Sequence, residues 1–319
     1  MAVYTDISTE ELAPFLQGYD LGPARSFKGI AEGVENSNFL LETPSGRFIL
    51  TVYERRVRED DLPFFLDLLS HLAAQGFPCP TPVKDRAGDA LRRLRGKPAA
   101  IVSFLHGLSV RRPTADQCRS AGEGLAWLHA AGAGFAPRRS NALGQPSWRG
   151  LFEPFAAAAE ALKPGLAADI DADLGELAAG WPGGLPQGVI HADYFPDNVF
   201  FADGGFAGAI DFYFAANDAL AYDLAIALNA WCFEPAGEFN ITRARAFVDG
   251  YQSRRALRPD ERDALPLLAR GAAMRFFLTR LADWGAAPPG SLVRPKDPME
   301  YERKLAVHRR GLALAELLA

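Results

Sequence analysis

The spacing of apolar residues divides the chain into a strand-rich first third and a mainly helical remainder. Predicted strands lie at residues 37–42, 47–53 and 99–105, with a charged hairpin at residues 83–94. Residues 61–75 repeat apolar side chains at the period of a helix, and Gly76 can end that helix. This first third therefore predicts a small antiparallel sheet with one main helix.

Helical periodicity dominates after residue 114. Helices are predicted at residues 115–131, 152–162, 174–179, 219–231, 242–251, 259–281 and 298–318. Asn217 or Asp218 is expected to cap the helix at residue 219. Near the start of the chain, Ser8 and Glu11 form a capping box that opens a short helix. We therefore predict an α+β fold with two lobes, residues 1–105 and 106–319.

The segment from His191 to Asn198 carries the candidate chemistry, because it reads H-x-D-x-x-x-x-N. This spacing is typical of a kinase catalytic loop, in which the aspartate is the base and the asparagine binds Mg²⁺. Asp193 and Asn198 hold these positions, and a second acid, Asp211, follows an apolar run. Phosphoryl transfer from ATP needs these groups close together, since one carboxylate receives a proton and two oxygen ligands hold the metal.

The segment between Asn198 and Asp211 predicts a β-hairpin, because two apolar runs flank a glycine pair. With Gly204 and Gly205 at the centre of the turn, Asn198 would lie directly opposite Asp211. A turn centred on Asp203 and Gly204 would instead place Asn198 opposite Ala209. We expect the first register, since opposed side chains are close enough to share a metal ion.

Composition narrows the class of protein. With 49% hydrophobic and 23% charged residues, the chain has the composition of a soluble globular protein. A net charge of -5 gives no indication of binding to nucleic acid or an anionic membrane. Apolar runs are too short for a membrane span, and residues 1–17 lack the features of a signal peptide. Three scattered cysteines favour reduced thiols and a cytoplasmic location.

Six segments carry a resemblance to known proteins: residues 25–33, 35–39, 48–54, 191–201, 210–215 and 222–226. They resemble the aminoglycoside-phosphotransferase-like kinases, a branch of the protein-kinase-like fold that phosphorylates small molecules. Within that branch, the chain is most similar to the bacterial homoserine kinases of this type. It implies ATP-dependent phosphorylation of the side-chain hydroxyl of L-homoserine to O-phosphohomoserine, a step of threonine biosynthesis, with ATP and Mg²⁺ as cofactors.

The resemblance also implies roles for particular residues. Asp193 would be the base, with Asn198 and Asp211 on Mg²⁺. His191 would be a structural hydrogen-bonding group, and Asp223 would brace the catalytic loop from the following helix. The residues implied for the nucleotide are Asn36 and Asn38 in a loop and Ser103, Phe104 and Leu105 at the hinge beside adenine.

One position departs from many kinases. The strand residue that is often a lysine or arginine on the phosphates is Thr51 here. The phosphates would then need Mg²⁺, backbone N–H groups or another basic residue, and Lys28, Arg55 and Arg56 are candidates. Few residues separate Asp211 from the predicted helix at residue 219, which leaves no room for a long activation loop. A small-molecule acceptor is therefore expected.

Homoserine is a zwitterion, so its site should offer a cation to the carboxylate. Arg275 and Arg280 lie in an apolar helix, where charge is costly unless it is used. They are the candidate ligands of the substrate carboxylate. Aminoglycoside, choline and methylthioribose kinases remain alternatives with the same chemistry, and a nucleotide-binding pseudokinase is an alternative of another class.

Overall fold

The computed structural model describes residues 5–30, 36–54, 58–286 and 295–311. Within them, the first third forms a five-stranded antiparallel sheet in the order β1-β2-β3-β5-β4. Its strands are β1 (Ser26–Ile30), β2 (Ser37–Thr43), β3 (Gly46–Val52), β4 (Arg92–Leu94) and β5 (Lys97–Ser103). The predicted sheet is thus present, and we call it, with helices α1 and α2, the small lobe.

Two helices accompany this sheet. Helix α1 (Thr9–Leu16) begins at the predicted capping box between Ser8 and Glu11. It covers one sheet face, where its buried residues join Phe39, Leu41 and Leu50 in a separate apolar cluster. Helix α2 (Leu62–Ala74) instead packs into the large apolar core that continues through the helical part of the chain. Helix α2 is therefore anchored in the core of the helical part of the chain, which we call the large lobe.

The predicted hairpin at residues 83–94 is wrong. Residues 85–89 form a turn held by the Asp85 carboxylate, which accepts the N–H groups of Ala87 and Asp89. Strand β4 pairs with β5 instead, around Arg95 and Gly96, whose positive φ angles of 54° and 76° suit a tight hairpin turn. The alternation of charged and apolar residues at 83–94 did not predict the turn at residues 85–89.

The large lobe consists of helices around two short hairpin-like sheets. Its helices are α3 (Ala115–Ala131), α4 (Trp148–Phe152), α5 (Ala156–Leu162), α6 (Leu166–Gly180), α7 (Leu220–Trp231), α8 (Ile241–Arg254), α9 (Pro259–Ala286) and α10 (Met299–Arg309). Strands β6 (Gln187–Ile190) and β9 (Ala216–Ala219) pair with each other, as do β7 (Val199–Ala202) and β8 (Gly205–Ala209). The catalytic loop lies between β6 and β7.

Helices α3 and α8 pack closely because glycine lies at their contact. A Cβ atom on Gly122 would be 2.1 Å from the Phe247 carbonyl oxygen, and one on Gly250 would be 2.0 Å from the Arg119 carbonyl oxygen. Both distances are far below van der Waals contact, so larger residues would force the helices apart. The close approach brings His129 of α3 within hydrogen-bonding distance of Tyr251 of α8.

Several predicted helix ends differ from the structure. Helix α6 begins eight residues before the predicted start at 174, since Gly165, with φ of 82°, precedes it. Asn217 and Asp218 do not cap α7, because both belong to β9. Part of the helix predicted at residues 298–318 lies outside the described residues. No described helix is both long and apolar enough to cross a membrane.

Candidate active site

The catalytic loop places Asp193 and Asn198 side by side. The Asn198 side-chain Nδ2 donates to the Asp193 carbonyl oxygen at 2.9 Å and to its carboxylate Oδ2 at 3.1 Å. Asn198 is nearly buried and Asp193 half-buried. With Nδ2 committed to Asp193, the amide Oδ1 is the atom of Asn198 that suits a metal ion.

The hairpin after this loop does not have the expected register. Ala202 pairs with Gly205, so Asp203 and Gly204 form the turn, with φ of 49° and 80°. A bulge between Phe200 and Phe201 then shifts the register by one residue. Asn198 consequently lies opposite Ile210, whose N–H donates to the Asn198 carbonyl at 2.9 Å.

Asp211 follows directly after this pairing. Its φ of 64° lies in the left-handed region that few non-glycine residues adopt. Such a conformation at a candidate site is held in place by its surroundings. Here the Ile210 carbonyl accepts a hydrogen bond from His191 Nε2 at 3.0 Å, which ties the strand end to the catalytic loop. Asp211 is exposed, so a metal ion can reach it.

His191 connects the two halves of the site through its ring. Its Nδ1 accepts the Asp193 N–H at 3.2 Å, while Nε2 faces the Ile210 carbonyl. This pair of contacts requires a neutral ring with its proton on Nε2. Burial lowers the pKa of His191, although Asp223 and the Ile210 carbonyl act in the opposite direction. Through these two contacts the ring joins the catalytic loop to the end of β8.

Asp223 braces the same loop from α7. Its carboxylate accepts the N–H groups of His191 and Ala192, both at 2.8 Å, and His129 Nε2 at 2.9 Å. Burial opposes ionisation, but the hydrogen bond and charge of His129, with further help from His191, outweigh it and lower the pKa of Asp223. A fully buried carboxylate with three donors fixes the backbone that leads into Asp193.

The bracing continues towards the surface. His129 Nδ1 lies 2.7 Å from the Tyr251 hydroxyl, which accepts Arg255 Nη1 at 3.1 Å. Arg255 in turn pairs with the buried Glu261 at 2.8 Å. The sequence analysis did not predict this series of hydrogen bonds from His129 to Glu261. A histidine within the apolar face of α3 was the available signal, but its partners are about a hundred residues away.

Arg275 of helix α9 packs against the catalytic loop. Its Nη1 donates to the Ala192 carbonyl, and its guanidinium stacks over Phe214 and Phe276. Ala192 itself has φ of 61°, so the Arg275 and Asp223 contacts hold a strained residue from both sides. Within the described part of the chain, Arg275 forms no ion pair, and its buried Nε has no partner.

Arg280 is placed differently. It pairs with Glu300 at 2.7 Å and stacks over Tyr301. Burial acts against ionisation of Glu300, yet Lys304 and Arg280 lower its pKa to about 2. The two arginines therefore differ in their partners, since Arg280 pairs with a carboxylate and Arg275 with a backbone carbonyl.

Of the two asparagines predicted for the nucleotide, Asn38 contacts strand β3 and Asn36 contacts a residue just after it. Asn36 Oδ1 accepts the Glu54 N–H at 3.3 Å, and Asn38 Oδ1 accepts the Thr51 hydroxyl at 2.8 Å. Thr51 thus holds Asn38 in position across the sheet. Residues 31–35, 55 and 56, which include two of the predicted basic candidates, lie outside the described residues.

The predicted hinge begins at Ser103, the last residue of β5. Ser103 N–H donates to the Thr81 carbonyl at 2.9 Å and Phe104 N–H to the Arg47 carbonyl at 3.2 Å. These two donors are occupied, whereas the Leu105 N–H has no protein partner among the described residues. Of the three hinge residues, Leu105 therefore has the backbone donor available to a ligand.

The donors present suit a magnesium ion that is shared with phosphates. Among the described residues, no three His, Cys, Asp or Glu side chains gather into a metal cluster. Asn198 and Asp211 could supply two oxygen ligands, and Mg²⁺ usually combines one or two such ligands with phosphate oxygens and water. The residues fit an ion that arrives with a nucleotide.

The site has the groups of a phosphotransferase. Asp193 is a half-buried carboxylate, Asn198 is hydrogen-bonded to it, and Asp211 is a second acid at the end of the next hairpin. Residues 26–257 match the phosphotransferase enzyme family. The chain belongs to this family, which confirms the resemblance that the sequence motifs indicated.

Individual relatives agree with this assignment. The chain is 70% identical over 315 residues to a homoserine kinase of Caulobacter sp. (strain K31), covering 98% of each protein. It is 61% identical over 310 residues to a homoserine kinase of Bradyrhizobium diazoefficiens, covering 97% of this chain and 95% of that protein. A solved amicoumacin kinase, in complex with AMP-PNP, Ca²⁺ and Ami, superposes with a TM-score of 0.69 at 16% identity, covering 98% of this chain and 93% of that one. The predicted kinase-like α+β fold is confirmed.

Proposed function

We propose that this protein is an ATP-dependent homoserine kinase, which converts L-homoserine to O-phosphohomoserine for threonine biosynthesis. The main support is the identity of 59–70% to proteins named homoserine kinase over nearly the full chain. Membership of the phosphotransferase family and the arrangement around Asp193 agree with phosphoryl transfer to a hydroxyl. We further propose that the enzyme acts in the cytoplasm, because its three cysteines are free thiols.

Asp193 is proposed as the base. The homoserine hydroxyl oxygen attacks the γ-phosphorus of ATP, the bond to the β-phosphate oxygen breaks, and the hydroxyl proton passes to the Asp193 carboxylate. Asn198 Nδ2 keeps that carboxylate oriented. Asn198 Oδ1 and the Asp211 carboxylate would hold Mg²⁺, which neutralises charge on the phosphates when bound. Most of the rate enhancement then comes from positioning.

The sheet face opposite α1 is proposed as the nucleotide surface. Leu40 and Ile49 are half-buried there and paired across β2 and β3, and Val102 of β5 pairs with Ile49. Leu40 and Ile49 belong to neither described apolar core, so a flat adenine ring can cover them. The exposed Lys28 pairs with Leu40 from β1 and is the described candidate for a phosphate contact.

Of the two predicted arginines, we propose Arg275 as the ligand of the substrate carboxylate. A buried cation without an anionic partner is costly, so a substrate carboxylate would compensate it. Among the described residues, the Tyr301 hydroxyl is also buried without a hydrogen-bond partner. The Tyr301 ring stacks on Phe276, the residue after Arg275, with 5.2 Å between ring centres. Arg275 Nη1 donates to the carbonyl of Ala192, the residue directly before the proposed base. Arg280 already has Glu300.

Substituting Arg275 by lysine is expected to raise the KM for homoserine roughly 10- to 100-fold, since a charge-assisted hydrogen bond contributes about 1.5–3 kcal/mol. Steady-state kinetics would measure this, with Arg280→Lys as the matched variant on the same helix. For 3-aminopropan-1-ol, which lacks the carboxylate, the KM should be the same in wild type and Arg275→Lys, and any loss of loop support should lower the kcat for both acceptors alike. A lower kcat with unchanged KM would show that Arg275 only supports the loop, and an effect confined to Arg280→Lys would exchange the two assignments.

The substrate is tested by coupled ADP release with homoserine, serine, choline, methylthioribose and kanamycin as acceptors. We expect the highest kcat/KM with homoserine, and mass spectrometry should detect O-phosphohomoserine. A stronger signal with another acceptor would replace the substrate but keep the chemistry. Nucleotide binding without ADP formation from any acceptor would favour the pseudokinase alternative.

A further inference from the structure

A single arginine connects the small lobe to the segment that follows Asp211. The Arg139 guanidinium donates to Asp61 Oδ2 through Nε at 3.1 Å and Nη2 at 2.9 Å, and to the Ala215 carbonyl through Nη1 at 3.1 Å. Asp61 directly precedes helix α2 of the small lobe. Ala215 lies four residues after Asp211, the proposed magnesium ligand.

We propose that Arg139 is a positioning residue, which sets helix α2 against the magnesium-binding segment. The proposal rests on the proposed function, since it assigns Asp211 to the metal. All three nitrogen atoms of the guanidinium donate hydrogen bonds, which fixes its plane as well as its position. A lysine could not make this set of contacts at the same place.

The surroundings of Arg139 hold it rigidly. Its backbone N–H donates to Asn217 Oδ1 at 2.9 Å, and its carbonyl accepts the Asn217 N–H at 2.7 Å. Its guanidinium also stacks over the Phe65 ring of α2, with 5.0 Å between Cζ and the ring centre. The Arg139 and Asp61 side chains are 20% and 26% exposed, so solvent only partly screens their charges.

A second contact joins the same two parts of the molecule. The Tyr213 ring packs edge-on against Tyr53, at 5.6 Å between ring centres, and against Phe65 at 5.7 Å. Tyr53 follows β3, and Phe65 belongs to α2. A residue that follows β3 and a residue of α2 therefore both contact the segment 211–215, and Arg139 adds the charged connection.

This arrangement supplies a link that Thr51 cannot provide. In many kinases a basic residue of the third strand pairs with an acid of the following helix, which connects that helix to the phosphates. Thr51 instead donates to Asn38. The acid at the start of α2 is engaged from the large lobe, so α2 is aligned with the metal ligand and not with the strand.

The test uses Asp61→Asn, Arg139→Gln and the double variant. Residues that support metal ligands typically change metal affinity or activity 10- to 100-fold. We therefore expect the Mg²⁺ concentration for half-maximal activity to rise at least about 10-fold in each single variant, with the homoserine KM unchanged. Because the two residues act as one link, the double variant should be no worse than Arg139→Gln.

Arg119→Gln and Asp249→Asn are the matched controls, since these residues form a surface ion pair of similar length, 3.1 Å, between α3 and α8. Their Mg²⁺ dependence should equal that of the wild type. Mg²⁺-dependent ADP binding by calorimetry gives a readout without homoserine, so it remains informative if the enzyme uses another acceptor. If Arg139→Gln fails to fold, Asp61→Asn decides alone, since it leaves the Ala215 contact in place. Unchanged Mg²⁺ dependence in a folded Asp61→Asn, or additive effects in the double variant, would overturn the proposal.

Discussion

Replacing Asp193 by asparagine is expected to lower kcat by roughly 10²- to 10⁴-fold, the usual contribution of a general base. The amide has nearly the same shape but cannot accept the hydroxyl proton. Its remaining oxygen can still accept the hydrogen bond from Asn198 Nδ2, so the variant mainly removes the proton acceptor. Binding of ATP should change little, because the proposed adenine surface lies on the sheet. Steady-state kinetics and calorimetric titration with ADP would measure the two effects separately.

Asp197→Asn provides a control in the same loop. Asp197 is exposed and lies one residue before Asn198, so the same change of charge occurs without loss of the proposed base. Its kcat should stay near the wild-type value. Near-normal turnover in Asp193→Asn, or an equal loss in both variants, would mean that Asp193 does not accept the proton.

Replacing Asp223 by asparagine is expected to lower the free energy of unfolding by about 3–5 kcal/mol, the usual cost of breaking a buried charged pair. The amide offers one acceptor oxygen to three donors, and its NH₂ group would face N–H groups of the loop. Turnover should fall as well, because the backbone before Asp193 loses its support. Urea unfolding followed by tryptophan fluorescence, together with kcat at saturating substrates, would test both effects.

The exposed Asp249 is again a suitable comparison. Asp249→Asn removes a surface ion pair and should change the free energy of unfolding by no more than about 0.5 kcal/mol. Equal stability of the wild type and Asp223→Asn would show that the buried network contributes less than its geometry suggests. A stable but inactive Asp223→Asn would assign it to loop alignment alone.

The sequence was most informative where the determinants were local. The capping box at Ser8 and the strands around residues 43–46 depend on neighbours within a few residues, and the structure confirms them. Asp193, Asn198 and Asp211 also lie within one short stretch of chain, so their spacing alone pointed to a candidate site. Short-range patterns of this kind carry their own geometry, so spacing alone predicts much of the fold and the three principal candidates.

The hairpin shows where such reasoning ends. A glycine pair predicts a turn but does not place its centre, and the turn lies at Asp203 and Gly204, which both have positive φ angles. The bulge at Phe200 and Phe201 has no mark in the sequence. Together they changed which residue lies opposite Asn198. A shift of one residue is enough to alter a metal site, because successive side chains point to opposite faces.

Contacts between residues far apart in the sequence could not be predicted for a different reason. Arg139 and Asp61 are 78 positions apart, and His129 and Asp223 are 94 apart. Nothing in either local pattern indicates the partner. Arg275 was identified from the cost of burying charge in a helix, but its contact with the Ala192 carbonyl depends on how α9 meets the loop.

The dense bonding of the catalytic loop has a consequence for conformational entropy. From His191 to Tyr194 the backbone is held by Asp223, Arg275, His191, Asn198 and Trp231. Ordering a residue costs about 1–2 kcal/mol, and here that cost is met once, on folding, and not at every turnover. The loop has little freedom left to lose on substrate binding. Changes of acceptor specificity should therefore arise outside it, where a substitution can reshape the pocket without releasing the base.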